Sequence, residues 1–259
     1  MAKVTGITNL KGGSGKSTTA VSLAEWWGRK GERVLLIDTD PQCNATDTYR
    51  AETDGANTLY DLLFTEGTGA EECIQHMPDG DIIAADQLLT RSEQLFPNDN
   101  SRYFLMREKC AALQDMYDRI IIDTSPVMGV MLTNVFNFSD NLIIPLTCDR
   151  YGLVGMSDLS EAISAARKYT NPGLEILGLL LIKYNGRLSI CRQTSEQMPK
   201  IAGCLNTIVF ETKIRESVAC REAQVKRSSL FEGAGMNSTT AQDYISLADE
   251  IEDLERSRR

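Results

Sequence analysis

Four short runs in this chain are apolar without interruption, where a strand with one wet face would alternate. They are Arg33–Asp38 (RVLLID), Arg119–Asp123 (RIIID), Asn141–Leu146 (NLIIPL) and Leu177–Ile182 (LGLLLI), and a fifth short strand, Val4–Asn9, precedes them. Continuous runs of this length belong to strands buried on both faces, as in a parallel sheet covered by helices. Helical patterns lie between them. Ser17–Lys30 carries Ala20, Leu23, Ala24 and Trp27 on one face, and Gly31 supplies a stop. Gly152–Tyr169 and Ala241–Leu254 are predicted helices too, the latter opened by Thr240 with Asp243 three residues on. Repeated β-α-β units with short links predict a doubly wound, mostly parallel α/β sheet flanked by helices. The stretch from about 53 to 101 is less regular and more polar, and reads as an insertion of short helices around Gly80–Ala84. The expectation is one domain over 1–259, since no linker, repeat or low-complexity tract breaks the chain.

The first chemical signal is Lys11-Gly12-Gly13-Ser14-Gly15-Lys16-Ser17-Thr18, set directly between a strand and a helix. The usual phosphate-loop pattern places a glycine where Leu10 stands. Three glycines in four positions still allow backbone N–H groups to turn inward around a phosphate chain, and the following helix adds its positive end. Lys16 is then expected on the β/γ-phosphates and Ser17 on Mg²⁺, which predicts a P-loop NTPase.

Two acids follow at strand ends. Asp38-Thr39-Asp40-Pro41-Gln42 closes the second strand, and Asp123 closes Ile120-Ile121-Ile122. The carboxyl edge of a parallel sheet is where ligands bind in open α/β folds. Either acid alone could equally be a helix cap; three phosphate- or metal-directed features at strand ends favour a nucleotide site.

These residues carry a resemblance. KGGSGKST resembles the deviant Walker A loop of the ParA/MinD/nitrogenase-iron-protein group of P-loop ATPases, and VLLIDTDPQCNAT resembles the ParA segment after it. The likeness continues through Asp123-Thr124-Ser125-Pro126, Ile144-Pro145, Ile214-Arg215-Glu216-Ser217-Val218, Glu222-Ala223 and Ala241-Gln242-Asp243-Tyr244. It covers nearly the whole chain and is weakest over Thr53–Ser101. Leu10 stands where glutamine is frequent, and Ser125 replaces the first proline of the usual D-x-P-P.

The resemblance implies an ATP-dependent homodimer. Lys11 matches the signature lysine that reaches the partner's phosphates, Asp40 the acid that positions the attacking water, and Asp38 a support for the metal shell. Gly12 is implied to stay small so that two loops can approach. Nucleotide contacts are expected from Lys11–Thr18, Pro145, Thr212 and Ile214, and Mg²⁺ contacts from Ser17, Asp38, Asp40 and Asp123. The function implied is a slow ATPase, stimulated by a ParB-type centromere-binding partner, that segregates plasmid or chromosomal DNA.

Charge bears on that expectation. The chain carries −9 overall, which by itself repels nucleic acid, yet between Lys183 and Arg227 nine basic residues face four acidic ones. Arg187, Arg192, Arg221, Lys226 and Arg227 are the candidates for nonspecific binding to double-stranded DNA, with a solvated surface as the plain alternative. A MinD-like membrane cycle needs a basic amphipathic C-terminal helix, whereas Asp243, Asp249, Glu250, Glu252, Asp253 and Glu255 make this one acidic. An iron–sulfur reductase needs a cysteine after the Asp123 strand, where Val127-Met128-Gly129 stands instead. Positioning of a protein cargo, and a scaffold that never hydrolyses, are the remaining alternatives. No apolar stretch approaches the ~20 residues of a membrane helix, so the expected location is cytoplasmic and nucleoid-associated, with no membrane partner.

Overall fold

The computed structural model describes residues 1–149 and 155–258. Eight strands form one sheet: β1 (Lys3–Ile7), β2 (Val34–Asp38), β3 (Ile74–Met77), β4 (Gly80–Ile83), β5 (Arg119–Asp123), β6 (Asn141–Thr147), β7 (Glu175–Tyr184) and β8 (Ile214–Arg215). The helices are α1 (Lys16–Arg29), α2 (Asn44–Tyr49), α3 (Leu59–Phe64), α4 (Ser92–Leu95), α5 (Leu105–Lys109), α6 (Leu113–Met116), α7 (Val130–Phe138), α8 (Met156–Tyr169), α9 (Ser189–Cys204), α10 (Val218–Lys226) and α11 (Thr239–Ser257). The spatial order is β3-β4-β2-β5-β1-β6-β7-β8, parallel throughout except for the β3–β4 hairpin.

The continuous apolar runs are explained by burial on both sides. Successive strand residues point to opposite faces. Leu36 and Ile121 therefore join Ile7, Ile143 and Leu180 in a core beneath α1 and α11. Their neighbours Leu35, Ile37, Ile120 and Ile122 pack against α3, α5 and α7 on the other face. Farther along that second face, Leu142, Ile144, Leu179 and Leu181 meet α8 and α9.

Three local expectations change. Gly80–Ile83 is a strand and not part of a helix: Pro78-Asp79-Gly80 makes the turn, Gly80 sits at φ +133°, and Ile82 and Ile83 pair in parallel with β2. The C-terminal helix starts earlier, with Ser238 accepting from the Ala241 N–H. Thr240 instead donates to the Arg215 carbonyl, and Asp243 pairs with the Arg215 guanidinium at 2.6 Å. Of the expected helix Gly152–Tyr169, Gly152–Val154 lie outside the described residues, and α8 begins at Met156. No described helix is long and apolar enough to cross a membrane.

Candidate functional site

At the carboxyl edge of the sheet, β1 runs into a loop that ends at the first turn of α1. The loop needs its glycines. Gly13 and Gly15 sit at φ +69° and +75°, and a Cβ on Gly15 would lie 2.5 Å from Ile182 Cδ1. Asn9 anchors the entry: its side chain donates to the Pro145 carbonyl at 2.6 Å and accepts from the Lys11 N–H at 2.9 Å. Lys16 is buried in the first turn of α1, with Nζ 3.5 Å from the Lys11 carbonyl.

Two acids converge on this loop because their strands are neighbours in register, Asp38 opposite Asp123. Thr39 ties the strand ends together, donating through both N–H and Oγ1 to the Asp123 carbonyl. Asp123 is fully buried, and neither carboxylate oxygen has a protein partner of full hydrogen-bond geometry. Burial first, then the nearby Asp38 charge, pushes its carboxyl well above the usual range; Ser17 and the Lys16 ammonium act against the shift. Burial likewise lowers Lys16, opposed by Asp123 and Asp40. A buried carboxylate short of partners is costly, and a cation beside it removes the cost. Among the described residues no cluster of three or more His, Cys, Asp or Glu side chains forms a cation cage. The donor set fits a magnesium ion held by one hydroxyl, one carboxylate and phosphate oxygens with water.

Asp38, expected in the metal shell, has both oxygens engaged by protein donors. One of its oxygens accepts the Asp40 N–H and the other accepts both N–H and Oγ1 of Thr46, at 2.9 and 2.8 Å. Burial nevertheless raises it to about 6. These bonds tie the start of α2 and the Asp40 backbone to the end of β2. Asp40 lines the cleft, with Oδ1 accepting from the Gln42 N–H. Thr46 is a site residue that sequence reading missed, because it lies eight positions from Asp38 with no local pattern linking them. Its hydroxyl also accepts from the Ala85 N–H.

A cleft of about 760 Å³ opens over the loop, lined by Gly12–Thr18, Asp40, Pro126, Ile182, Lys183, Ile214 and residues of α10. Pro145 and Thr212 do not line it. Pro145 is buried within β6 beside β7, its carbonyl held by Asn9, and the Thr212 N–H is held by Glu250 at 3.0 Å. Lys11 turns away from the cleft toward Thr147 and Asp149. Of the nucleic-acid candidates, Arg187, Arg192 and Arg221 are exposed and form no ion pair among the described residues, whereas Lys226 pairs with Glu222 and Arg227 with Asp47.

A glycine loop closed by a buried lysine, set against acids from two adjacent parallel strands, defines a P-loop nucleoside triphosphatase. A family model described as an AAA domain matches residues 2–176. The chain is 33% identical over 259 residues to the sporulation initiation inhibitor protein Soj of Bacillus subtilis, covering 97% of this chain and 98% of Soj. It is 31% identical over 265 residues to the chromosome partitioning protein ParA of Caulobacter vibrioides, covering 99% and 96%. The chain belongs to the ParA-type family of partition ATPases. Among solved structures, apo McdA of Cyanothece matches with a TM-score of 0.86 at 21% identity, covering 97% of this chain and 99% of McdA. Cobyrinic acid a,c-diamide synthase of Mycobacterium smegmatis, solved with a bound ATP analog and magnesium, matches with a TM-score of 0.85 at 24% identity, covering 100% and 98%. At those identities both structures speak to the fold alone.

Proposed function

We propose that the chain is an ATP- and Mg²⁺-dependent ATPase that dimerises around its nucleotides, binds double-stranded DNA nonspecifically in that state, and is released when a ParB-type partner stimulates hydrolysis. The observation that carries this reading is the buried, under-bonded Asp123 carboxylate beside Lys16 and Ser17 at the mouth of the glycine loop.

The residues divide the work. The loop amides and Lys16 bind the phosphate chain. Ser17 and Asp123 would hold Mg²⁺, which when bound would offset charge on the transferring phosphoryl group. Asp40 lines the cleft with Oδ1 fixed by Gln42, and its other oxygen is available to orient the attacking water. Lys11, from a second copy, supplies the cation that an arginine finger supplies elsewhere. Arg187, Arg192 and Arg221 present exposed positive charge, and pairing two copies doubles it; affinity would then come from phosphate neutralisation and counterion release. The apolar face of α11, including Leu247, Ala248 and Ile251, is buried in the core with α1, which does not favour a membrane-cycling role.

Co-sedimentation with nonspecific duplex at low salt tests the reading, with and without ATP-Mg²⁺. DNA binding only in the ATP state is expected, and Lys16→Ala is expected to abolish it. Equal, negligible binding in both states would remove the DNA function.

A further inference from the structure

The phosphate loop is gripped from outside by the end of β7. Ile176–Ile182 are buried in succession, and Lys183 is the first charged residue after them. The pairing with β8 jumps there: Ile182 lies opposite Ile214 and Tyr184 opposite Arg215, so Lys183 is the extra residue of a bulge. Its backbone is left-handed at φ +51°, a conformation that any residue carrying a Cβ adopts at a cost. In a regular strand Ile182 and Lys183 would point to opposite faces. At the bulge both reach the same loop. Ile182 Cδ1 occupies the space a Gly15 Cβ would need, and Lys183 Nζ donates to the Gly13 carbonyl at 3.0 Å.

That hydrogen bond has a chemical consequence. A peptide unit is planar and trans, so its C=O and N–H point in opposite directions. Holding the Gly13 carbonyl outward aims the Ser14 N–H to the concave side of the loop, where an anion-binding nest needs it. A free glycine peptide can turn over and present its carbonyl to the anion. Lys183 also borders the cleft, so its charge stands beside the loop and not within its concave side.

We propose that Lys183 is a positioning residue of the nucleotide site, which locks the Gly13–Ser14 peptide in its phosphate-binding orientation. One of the nine cations in the basic segment thereby serves the nucleotide and not DNA. The proposal rests on the nucleotide-binding reading above and extends it to a residue outside the glycine motif. Lys183 acts on binding and leaves the hydrolytic step to Asp40 and Lys11.

The experiment titrates fluorescent ADP and a fluorescent non-hydrolysable ATP analogue against full-length wild type, Lys183→Met, Lys183→Arg and Lys183→Gly. Apo melting temperatures and steady-state ATPase kinetics are measured alongside. Lys183→Met removes the donor while keeping the stem. Lys183→Gly removes it while relieving the left-handed strain, so its melting temperature should equal or exceed that of wild type. Both should bind either nucleotide about five- to twentyfold more weakly, the loss of one charge-assisted hydrogen bond. KM should rise with kcat unchanged, and Lys183→Arg should stay within about twofold of wild type. Nucleotide affinity unchanged in Lys183→Met and Lys183→Gly would overturn the assignment, as would an equal loss in Lys183→Arg. Wild type failing to bind either nucleotide would overturn the proposed function itself.

Discussion

The Lys11 ammonium stands 2.6 Å from both carboxylate oxygens of Asp149 and 2.8 Å from the Thr147 hydroxyl. In the dimer proposed above, the cation offered to the second copy starts out held by its own chain. Forming that dimer would exchange these contacts for phosphate oxygens across the interface. Asp149 is half-exposed, which limits the pair to about 1 kcal/mol or less. Asp149→Asn is expected to tighten the nucleotide-dependent dimer by about three- to tenfold, since two tethers are loosened per dimer. Analytical ultracentrifugation with a non-hydrolysable analogue and Mg²⁺ measures this. A weaker dimer would mean that Asp149 helps the interface instead.

Gly12 and Gly15 should fail in different ways. A Cβ on Gly12 meets no atom within 4 Å in the single chain, whereas one on Gly15 meets Ile182 and sits at positive φ. Gly15→Ala should lower apo stability by about 1–2 kcal/mol and weaken nucleotide binding. Gly12→Val should melt like wild type and bind nucleotide, yet remain monomeric by light scattering. A Gly12→Val protein that still dimerises would show that the two loops do not meet closely.

Glu25 makes stability depend on pH. It is buried on α1, where one oxygen accepts from the Ser229 hydroxyl at 2.6 Å and the other has no partner. Burial raises its carboxyl from an ordinary 4.5 to about 8, with Asp79 and Glu232 adding to the shift and Ser229 and Arg29 opposing it. The folded state holds the proton more tightly, so the stability it confers is full below pH 4.5 and is lost as pH rises through about 8. Urea unfolding at pH 6 and pH 9 should differ by a few kcal/mol in wild type, on the order set by the shift. In Glu25→Gln that difference should shrink; an unchanged slope would assign it to another group.

Arg119 ties the start of β5 to the last turns of α11. Its guanidinium is bidentate to Glu255 at 3.1 and 3.0 Å, bonds Glu32 at 2.6 Å, and lies 4.1 Å from the Trp27 ring centroid. Arg119→Met leaves Glu255 buried without its partner and should cost about 3 kcal/mol or more. Arg119→Lys should recover only part of that loss, because an ammonium cannot reproduce the fork or the stacking. Denaturant midpoints decide; equal midpoints for wild type and Arg119→Met would make the network energetically idle.

Four of the five strands that build the middle of the sheet were legible because both faces are buried, so hydrophobicity alone marks them; β1 was placed by the glycine loop that follows it. The glycine loop was legible because its chemistry is local. The β3–β4 hairpin was not, since Ile82-Ile83-Ala84-Ala85 is too short to separate strand from helix by period; the Pro78-Asp79-Gly80 turn was the signal available. Asp38 was legible as a site acid, but its bonds to Thr46 were not, because only the folded chain brings Thr46 to it. The surroundings of Pro145 and Thr212 were hidden for a similar reason: they are set by partners from Asn9 and Glu250. Lys183 looked like one more surface cation until the bulge put it on Gly13.

The sheet ends in short strands on both sides. β3 has four residues, β8 has two, and beyond β8 the flank of β7 is covered where Ile208 and Phe210 bond Leu179. Neither border offers a long ladder of unpaired amides and carbonyls, so lateral fusion of two copies into one continuous sheet, and its drift toward fibres, is shut off. The proposed dimer would then have to form through the loops, where nucleotide could govern it.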